Sequence, residues 1–331
     1  MQNLSIEVSR HLELLGRSIL PIGLGTAWLP EGARAAEAEQ TIRLALELGV
    51  AYFDSARMYG SGEAEYRLGA VLGRLTAAQR DGLVIASKLG IFPHSRSFPA
   101  RLARKLSGKL GLRPPAFARH RTGAFSPKQM HESLNTSLRA LQTDHLDILL
   151  LHELQPHHLT DELVAFLERA RSLGKFRELG IATGVAETLA LLASRASVGR
   201  VVQIPESVWD ENLPRLPAHD GLLVTHSLLI GRFAALRARL QQDHQLARRW
   251  SGALDADVAA PGVLAGLLLR QALAVNNTGV VLFSTNRAEN LRANVSYARQ
   301  GPLSIKTSAL LARLVREAAQ DDFRSRAFHS P

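Results

Sequence analysis

Short apolar runs alternate with stretches of helical periodicity along almost the whole chain, and this rhythm limits the fold more than any other feature. The runs are Leu20 to Thr26, Val50 to Phe53, Leu83 to Lys88, Leu146 to His152, Phe176 to Ala182, Arg200 to Gln203, Gly221 to His226 and Gly279 to Phe283. Strands this short and apolar belong in a parallel sheet covered by helices on its faces. The stretches between them carry helix signals. Ala35 to Leu48 places Ile42, Leu44, Ala45 and Leu48 at helical spacing and stops at Gly49, a fitting C-terminal cap. Pro127 to Leu141 starts with Ser126 at the N-cap and Pro127 in the first turn.

About eight such units with no break in composition predict an α/β fold, a single closed (β/α)8 TIM barrel over residues 1–331. A doubly wound dinucleotide fold should carry G-x-G-x-x-G, and Gly23-Leu-Gly25-Thr-Ala-Trp28 stops after two glycines. Leu12 to Leu20 reads as an N-terminal β-hairpin turning at Gly16-Arg17. The helix after the second strand is expected to run to about Leu75, Leu228 to Ala274 to be mostly helical, and Ser308 to Ala319 to form a tail helix.

Composition removes several classes of chemistry. With no cysteine, disulfides, thiolate metal sites and cysteine nucleophiles are excluded. No apolar run approaches the roughly 20 residues of a membrane span, and Met1 to Arg10 lacks a signal-peptide core, so the cytoplasm is the expected compartment. The formal net charge of +10 is concentrated in one place. From Leu89 to Phe125 there is no acid, while Arg96, Arg101, Arg104, Lys105, Lys109, Arg113, Arg119 and Arg121 are basic. This basic insertion, 89–125, follows the third barrel strand and is expected to overhang the pocket mouth. Leu102, Leu106 and Leu110 repeat every four residues there, the pattern of an amphipathic helix with a basic side. It can be read as a lid recruiting an anionic substrate, as a contact for a membrane surface or an acidic partner, or as a plain solvated loop. Nucleic-acid binding is the weakest reading, because only Phe92, Phe98 and Phe117 interleave with the basic residues.

In a parallel barrel the carboxyl ends of the strands converge on one rim. Asp54 ends the second strand, Lys88 the third and His152 the fourth, with Tyr59 in the loop after Asp54. Singly, these residues could be a helix cap, a solvated strand end, a core histidine and a packing aromatic. At successive strand ends they point together to a catalytic site. A free tyrosine has a pKa near 10; Lys88, fixed by Asp54, is expected to lower it and make Tyr59 a proton donor. His152 offers a hydrogen bond to a carbonyl oxygen. Such a set protonates an alkoxide but supplies no hydride, which calls for a nicotinamide. Trp28 is expected to wall the substrate pocket together with Tyr59 and His152. His152, His157 and His158 lack carboxylate partners at a suitable spacing, and Pro156 interrupts them, so no metal is expected.

Phe53-Asp-Ser-Ala-Arg-Met-Tyr-Gly60, Ala86-Ser-Lys88, Leu149-Leu-Leu-His152 and Glu65-Tyr-Arg-Leu-Gly69 resemble the catalytic segments of the aldo-keto reductase family. The likeness runs from the hairpin and Gly23-Leu-Gly-Thr26 to Glu289-Asn-Leu-Arg-Ala-Asn-Val295. It implies NAD(P)(H)-dependent interconversion of a carbonyl (an aldehyde or ketone, sugars included) and an alcohol. Tyr59 would be the general acid/base, Lys88 and Asp54 would tune it, and His152 would orient the substrate. The resemblance also assigns cofactor positions: Gly25, Thr26 and Asp54 on the first two strands, Gln203 on the sixth, and His226 and Ser227 at the seventh. His226 stands where a stacking tyrosine is common. Gly180-Ile-Ala182-Thr183 replaces the usual Gly-x-Ser-Asn, leaving Thr183 for the nicotinamide amide. Ser284, Thr285, Arg287, Asn290 and Asn294 make up the nucleotide end. Ser284 and Asn290 stand where NADPH-preferring members often carry lysine and arginine; Arg287 or Arg292 can still pair with a 2′-phosphate, so NADP(H) is favoured over NAD(H). The altered Ala182, Thr183 and His226 sustain an alternative, a catalytically weak barrel that senses nucleotide.

Overall fold

The computed structural model describes residues 11–93, 106–107, 121–194 and 198–327. Strands β1 (Leu12–Leu14) and β2 (Arg17–Ile19) form an antiparallel hairpin. Its turn is Leu15-Gly16, with φ of 51° and 75°. Two left-handed residues are what a tight hairpin turn requires, and they place the turn one residue earlier than expected, leaving Arg17 in β2.

Eight parallel strands then close on themselves in the order β10-β3-β4-β5-β6-β7-β8-β9. They are β3 (Ile22–Gly25), β4 (Tyr52–Asp54), β5 (Val84–Leu89), β6 (Leu146–His152), β7 (Phe176–Ala182), β8 (Val201–Pro205), β9 (Leu222–His226) and β10 (Val280–Phe283). The fold is therefore the expected (β/α)8 barrel with an N-terminal hairpin. Side chains alternate along each strand. Phe53, Ile85, Leu149, Leu151, Val202 and Val281 pack outward in the core shared with the helices. Tyr52, Val84, Ala86, Ile148, Leu150, Val224, Val280 and Leu282 fill the interior. A β-carbon on Gly23 would lie 2.7 Å from both Tyr52 and Leu282, so the bulk of Tyr52 requires a glycine on the neighbouring strand.

Ile19 joins the interior cluster, and the hairpin thus closes the amino-terminal end of the barrel. Arg17 donates to Asp147 at 2.9 Å, and Arg80 donates to the other oxygen of the same buried carboxylate at 3.0 Å. The backbone N–H of Ile85 also donates to it at 2.9 Å.

Several helix expectations change. The helix after β4 is Glu63–Leu72, ended by Gly73, and a separate turn of helix, Ala77–Asp81, begins at the capping box of Thr76 and Gln79. The 228–274 region resolves into Phe233–Gln242, His244–Leu254 and Val263–Val275. Asp243 breaks the first from the second by accepting from the N–H groups of Gln245 and Leu246. The tail helix is longer than expected, Ile305–Ala327. No helix among the described residues is long and apolar enough to cross a membrane.

The two ends of the 89–125 insertion are tied together. Phe92 and Arg121 pair through their backbones at 2.9 and 3.2 Å, and Ala124 N–H donates to Gly90 at 3.0 Å. The amphipathic helix expected around Leu102, Leu106 and Leu110 lies, apart from Leu106, outside the described residues, as do all the insertion's basic side chains except Arg121.

Candidate active site

Asp54 and Lys88 are the inward-facing residues that follow the apolar interior on their strands, since Tyr52 precedes Asp54 by one pleat and Ala86 precedes Lys88 by one. Strand register sets their heights: Asp54 lies beside Gly25 and Ala86, and His152 beside Ala182, which pairs with Gln203. A buried strand thus delivers its terminal side chain into the space that closes over the filled interior.

Tyr59 arrives differently. It opens a tight turn, Tyr59–Gly62, in which Gly60, Ser61 and Gly62 have φ of 57°, 57° and 90°. Gly62 needs its hydrogen, because a φ of 90° is a backbone that a β-carbon strains. The loop is held to the lysine strand by Arg57 N–H, which donates to the Lys88 carbonyl at 3.4 Å.

Lys88 is 2% exposed and Asp54 equally so. The Lys88 ammonium donates to Asp54 Oδ2, and to the Ser55 carbonyl at 3.0 Å. It lies 5.1 Å from the centre of the Tyr59 ring, and the His152 ring meets Tyr59 edge-on with centroids 6.3 Å apart. Burial pulls the Lys88 ammonium towards neutrality, but Asp54 and Tyr59 together raise it above the ordinary lysine value. Burial lifts Asp54 above the usual carboxylate range and Lys88 pulls it back. We take the pair as ionised, because each charge is in contact with its opposite. Tyr59 departs from the expectation. Burial raises its phenol above the ordinary value, Lys88 opposes that rise and Asp54 adds to it, so the net direction is upward. The lysine limits the shift without reversing it.

These groups line a cavity of about 410 Å³. Of the residues singled out from sequence, Gly25, Trp28, Asp54, Tyr59, Lys88, His152, Thr183, Gln203, His226, Ser227, Ser284 and Asn294 all border it. Thr26 does not: it is 1% exposed and its hydroxyl donates to Ser55 at 2.9 Å. Thr285, Arg287 and Asn290 lie outside the cavity wall, on the turn and helix start after β10, where Arg287 N–H donates to Thr285 at 3.2 Å. Trp28 is no core tryptophan, being 70% exposed at the rim. The sequence reading missed Glu153, Leu229 and Ile230, which also line the cavity; an acid directly after the strand-terminal histidine was the available signal for the first.

Gln203 is 3% exposed, its side chain helps hold Asp54 in its charged form, and its Oε1 has no hydrogen-bond partner. A buried acceptor of this kind is uncommon without a ligand, so a flat molecule whose amide N–H donates to Gln203 Oε1, with Thr183 beside it, fits this wall. His226, with its Nδ1 2.7 Å from the Ser227 hydroxyl, is pushed down to about 4 by burial and then by Lys88. It presents a neutral planar ring. Among the described residues no group of three or more metal-ligating side chains gathers.

A profile of the aldo/keto reductase family matches residues 21–211, a stretch that holds Asp54, Tyr59, Lys88, His152 and Gln203. The chain belongs to the aldo/keto reductase family. It is 30% identical over 211 residues to a D-threo-aldose 1-dehydrogenase of Pseudomonas, covering 60% of this chain and 62% of that protein. It is 29% identical over 185 residues to the oxidoreductase YdhF of Escherichia coli, covering 55% of this chain and 52% of that protein. The chain thus spans between half and two thirds of the length of these curated relatives. Among solved structures, an aldo-keto reductase from Klebsiella pneumoniae in complex with NADPH superimposes with a TM-score of 0.65 at 23% identity, covering 93% of this chain and 95% of that one. An aldo-keto reductase of Bacillus halodurans gives 0.67 at 20% identity, covering 92% and 95%. The family profile ends before β9, so the stretch bearing His226, Ser284 and Asn294 lies beyond it.

Proposed function

We propose that this protein moves hydride between a nicotinamide cofactor and a small carbonyl or alcohol, with Tyr59 as the general acid/base. The observation that carries the reading is the buried Lys88–Asp54 pair set against the Tyr59 ring in a cavity that His152 also lines. In the reductive direction the donor must hold its proton until charge develops on the substrate oxygen. The raised phenol of Tyr59 keeps the proton at neutral pH, and the Lys88 ammonium stabilises the phenolate left behind. Asp54 holds Lys88 charged and in place. His152 orients the substrate oxygen, and the filled interior excludes water from below.

When bound, the nicotinamide supplies or accepts the hydride. Thr183 and Gln203 would hold its amide, His226 would lie against its ring, and Ser284 and Asn294 would take the nucleotide. Arg287 and Arg292, near the start of the helix after β10, suit a 2′-phosphate. Two similar solved structures carry NADPH or NADP, and both points support NADP(H) over NAD(H). Relatives named for D-threo-aldose and 6-dehydroglucose bring sugars among the candidate substrates. The expected setting is the cytoplasm, where free nicotinamide nucleotides are held.

The test is consumption of NADPH and NADH by purified protein across a panel of carbonyl compounds, with the reverse reaction on alcohols. Tyr59→Phe is expected to slow single-turnover hydride transfer by about 100-fold or more while nucleotide affinity stays near that of the wild type. Near-normal transfer in this variant would remove Tyr59 from the role, and an inert wild type would favour the nucleotide-sensing alternative.

A further inference from the structure

Glu153 has no part in the reading above, and its position is unusual. It directly follows His152, its N–H donates to the Ala182 carbonyl at 2.9 Å, and its side chain is exposed while lining the catalytic cavity. Its φ is 53°, a left-handed backbone that a β-carbon disfavours. The fold repeats this at the other strand-terminal histidine: Ser227, after His226, has φ 69° and also lines the cavity. Strained backbone of this kind persists where the surrounding structure imposes it, and it gathers at ligand sites.

The charge of Glu153 is uncompensated among the described residues. Asp54, Glu63 and Asp147 each face a lysine or arginine within ion-pair distance, whereas no such partner pairs with Glu153. Two large apolar side chains share its rim, Trp28 at 70% exposure and Ile230 at 62%. A carboxylate accepts hydrogen bonds from hydroxyl groups and repels another carboxylate. An exposed indole offers a flat apolar face to a ring or chain of C–H groups.

We infer that Glu153 is a specificity-determining residue, which selects neutral carbonyl compounds bearing hydroxyl groups near the reacting carbon and turns away those bearing a carboxylate. The inference rests on the oxidoreductase reading and deepens it. The hydroxyls donate to Glu153 while the carbon skeleton lies along Trp28 and the carbonyl oxygen reaches Tyr59 and His152.

The experiment measures kcat/KM for glyceraldehyde, for succinic semialdehyde and for butanal in the wild type, Glu153→Gln, Glu153→Asp and Glu153→Gly. Wild type is expected to prefer glyceraldehyde over succinic semialdehyde. In Glu153→Gln and Glu153→Gly that ratio should fall at least tenfold, chiefly through KM, with Glu153→Asp between them and the wild type. The glycine variant adopts the left-handed backbone without penalty, so it separates loss of the carboxylate from loss of the fold, which would depress all three substrates alike. A ratio unchanged in both variants, or a wild type that prefers the carboxylated aldehyde, overturns the inference alone. Absence of turnover with all three overturns the oxidoreductase reading and this one with it.

Discussion

Tyr59 is placed between a cation that favours its phenolate and an anion that opposes it, and burial settles the balance towards the neutral phenol. His226 shows the same physics with a readable pH signature. Burial and the nearby Lys88 push it down to about 4, while in the unfolded chain a histidine titrates near 6.5. Between those values the unfolded chain binds the extra proton, so the contribution of His226 makes the protein less stable as pH falls from about 6.5 to about 4 and is absent above that window. The limit is about 3 kcal/mol. His226→Asn removes this slope, so the stability gap between variant and wild type should move in the variant's favour by about 2 kcal/mol on going from pH 6.5 to pH 4.5. Urea unfolding at the two pH values measures it; a constant gap would show that His226 is not held neutral.

Strands set the positions of the charged groups, and this is why so much of the site is legible in the amino-acid sequence. An apolar run that ends in a lysine or histidine, with a side-chain period of two, places that residue at the rim, and Lys88 and His152 follow that rule. The helix breaks were harder. Asp243 is a residue type that caps helices, but its run carries no other break, and the mostly helical region expected from Leu228 to Ala274 divides there and again after Leu254. Contacts between distant segments were not legible at all. Arg17 and Asp147 are 130 residues apart in the chain and 2.9 Å apart in the fold, and nothing in either segment names the other. That contact ties the hairpin to the barrel. Asp147 is fully buried, with Arg17, Arg80 and the Ile85 N–H around it. Asp147→Asn removes the charge that three guanidinium groups share, Arg177 being the third at 3.6 Å, and is expected to cost about 3 kcal/mol, read as a lower urea midpoint with an unchanged slope. A loss under about 0.5 kcal/mol would mean that solvent replaces the carboxylate without penalty.

At the scale of the whole molecule, the closed barrel leaves no strand edge within it, and the strands and helices share one outer core. Far-ultraviolet dichroism and tryptophan fluorescence should therefore report one coincident unfolding transition. A nucleotide that binds only the folded protein should raise stability by about 2.7 kcal/mol at a concentration 100 times its Kd. NADPH is expected to raise the thermal midpoint more than NADH at equal concentration, and the reverse order would assign the preference to NAD(H). One feature of the interior bears on how the site is supplied. The layer beneath Asp54 and Lys88 is built from Tyr52, Val84, Ala86, Ile148, Leu150 and Leu282, each at most 5% exposed. Apart from the Tyr52 phenol, which feels both Asp54 above and Asp147 below, this floor is apolar, so a Tyr59 that gives up protons would be resupplied chiefly through the opening that admits the substrate. Resupply and substrate entry would then share one doorway, and a molecule seated in it would hold up the next proton until it leaves.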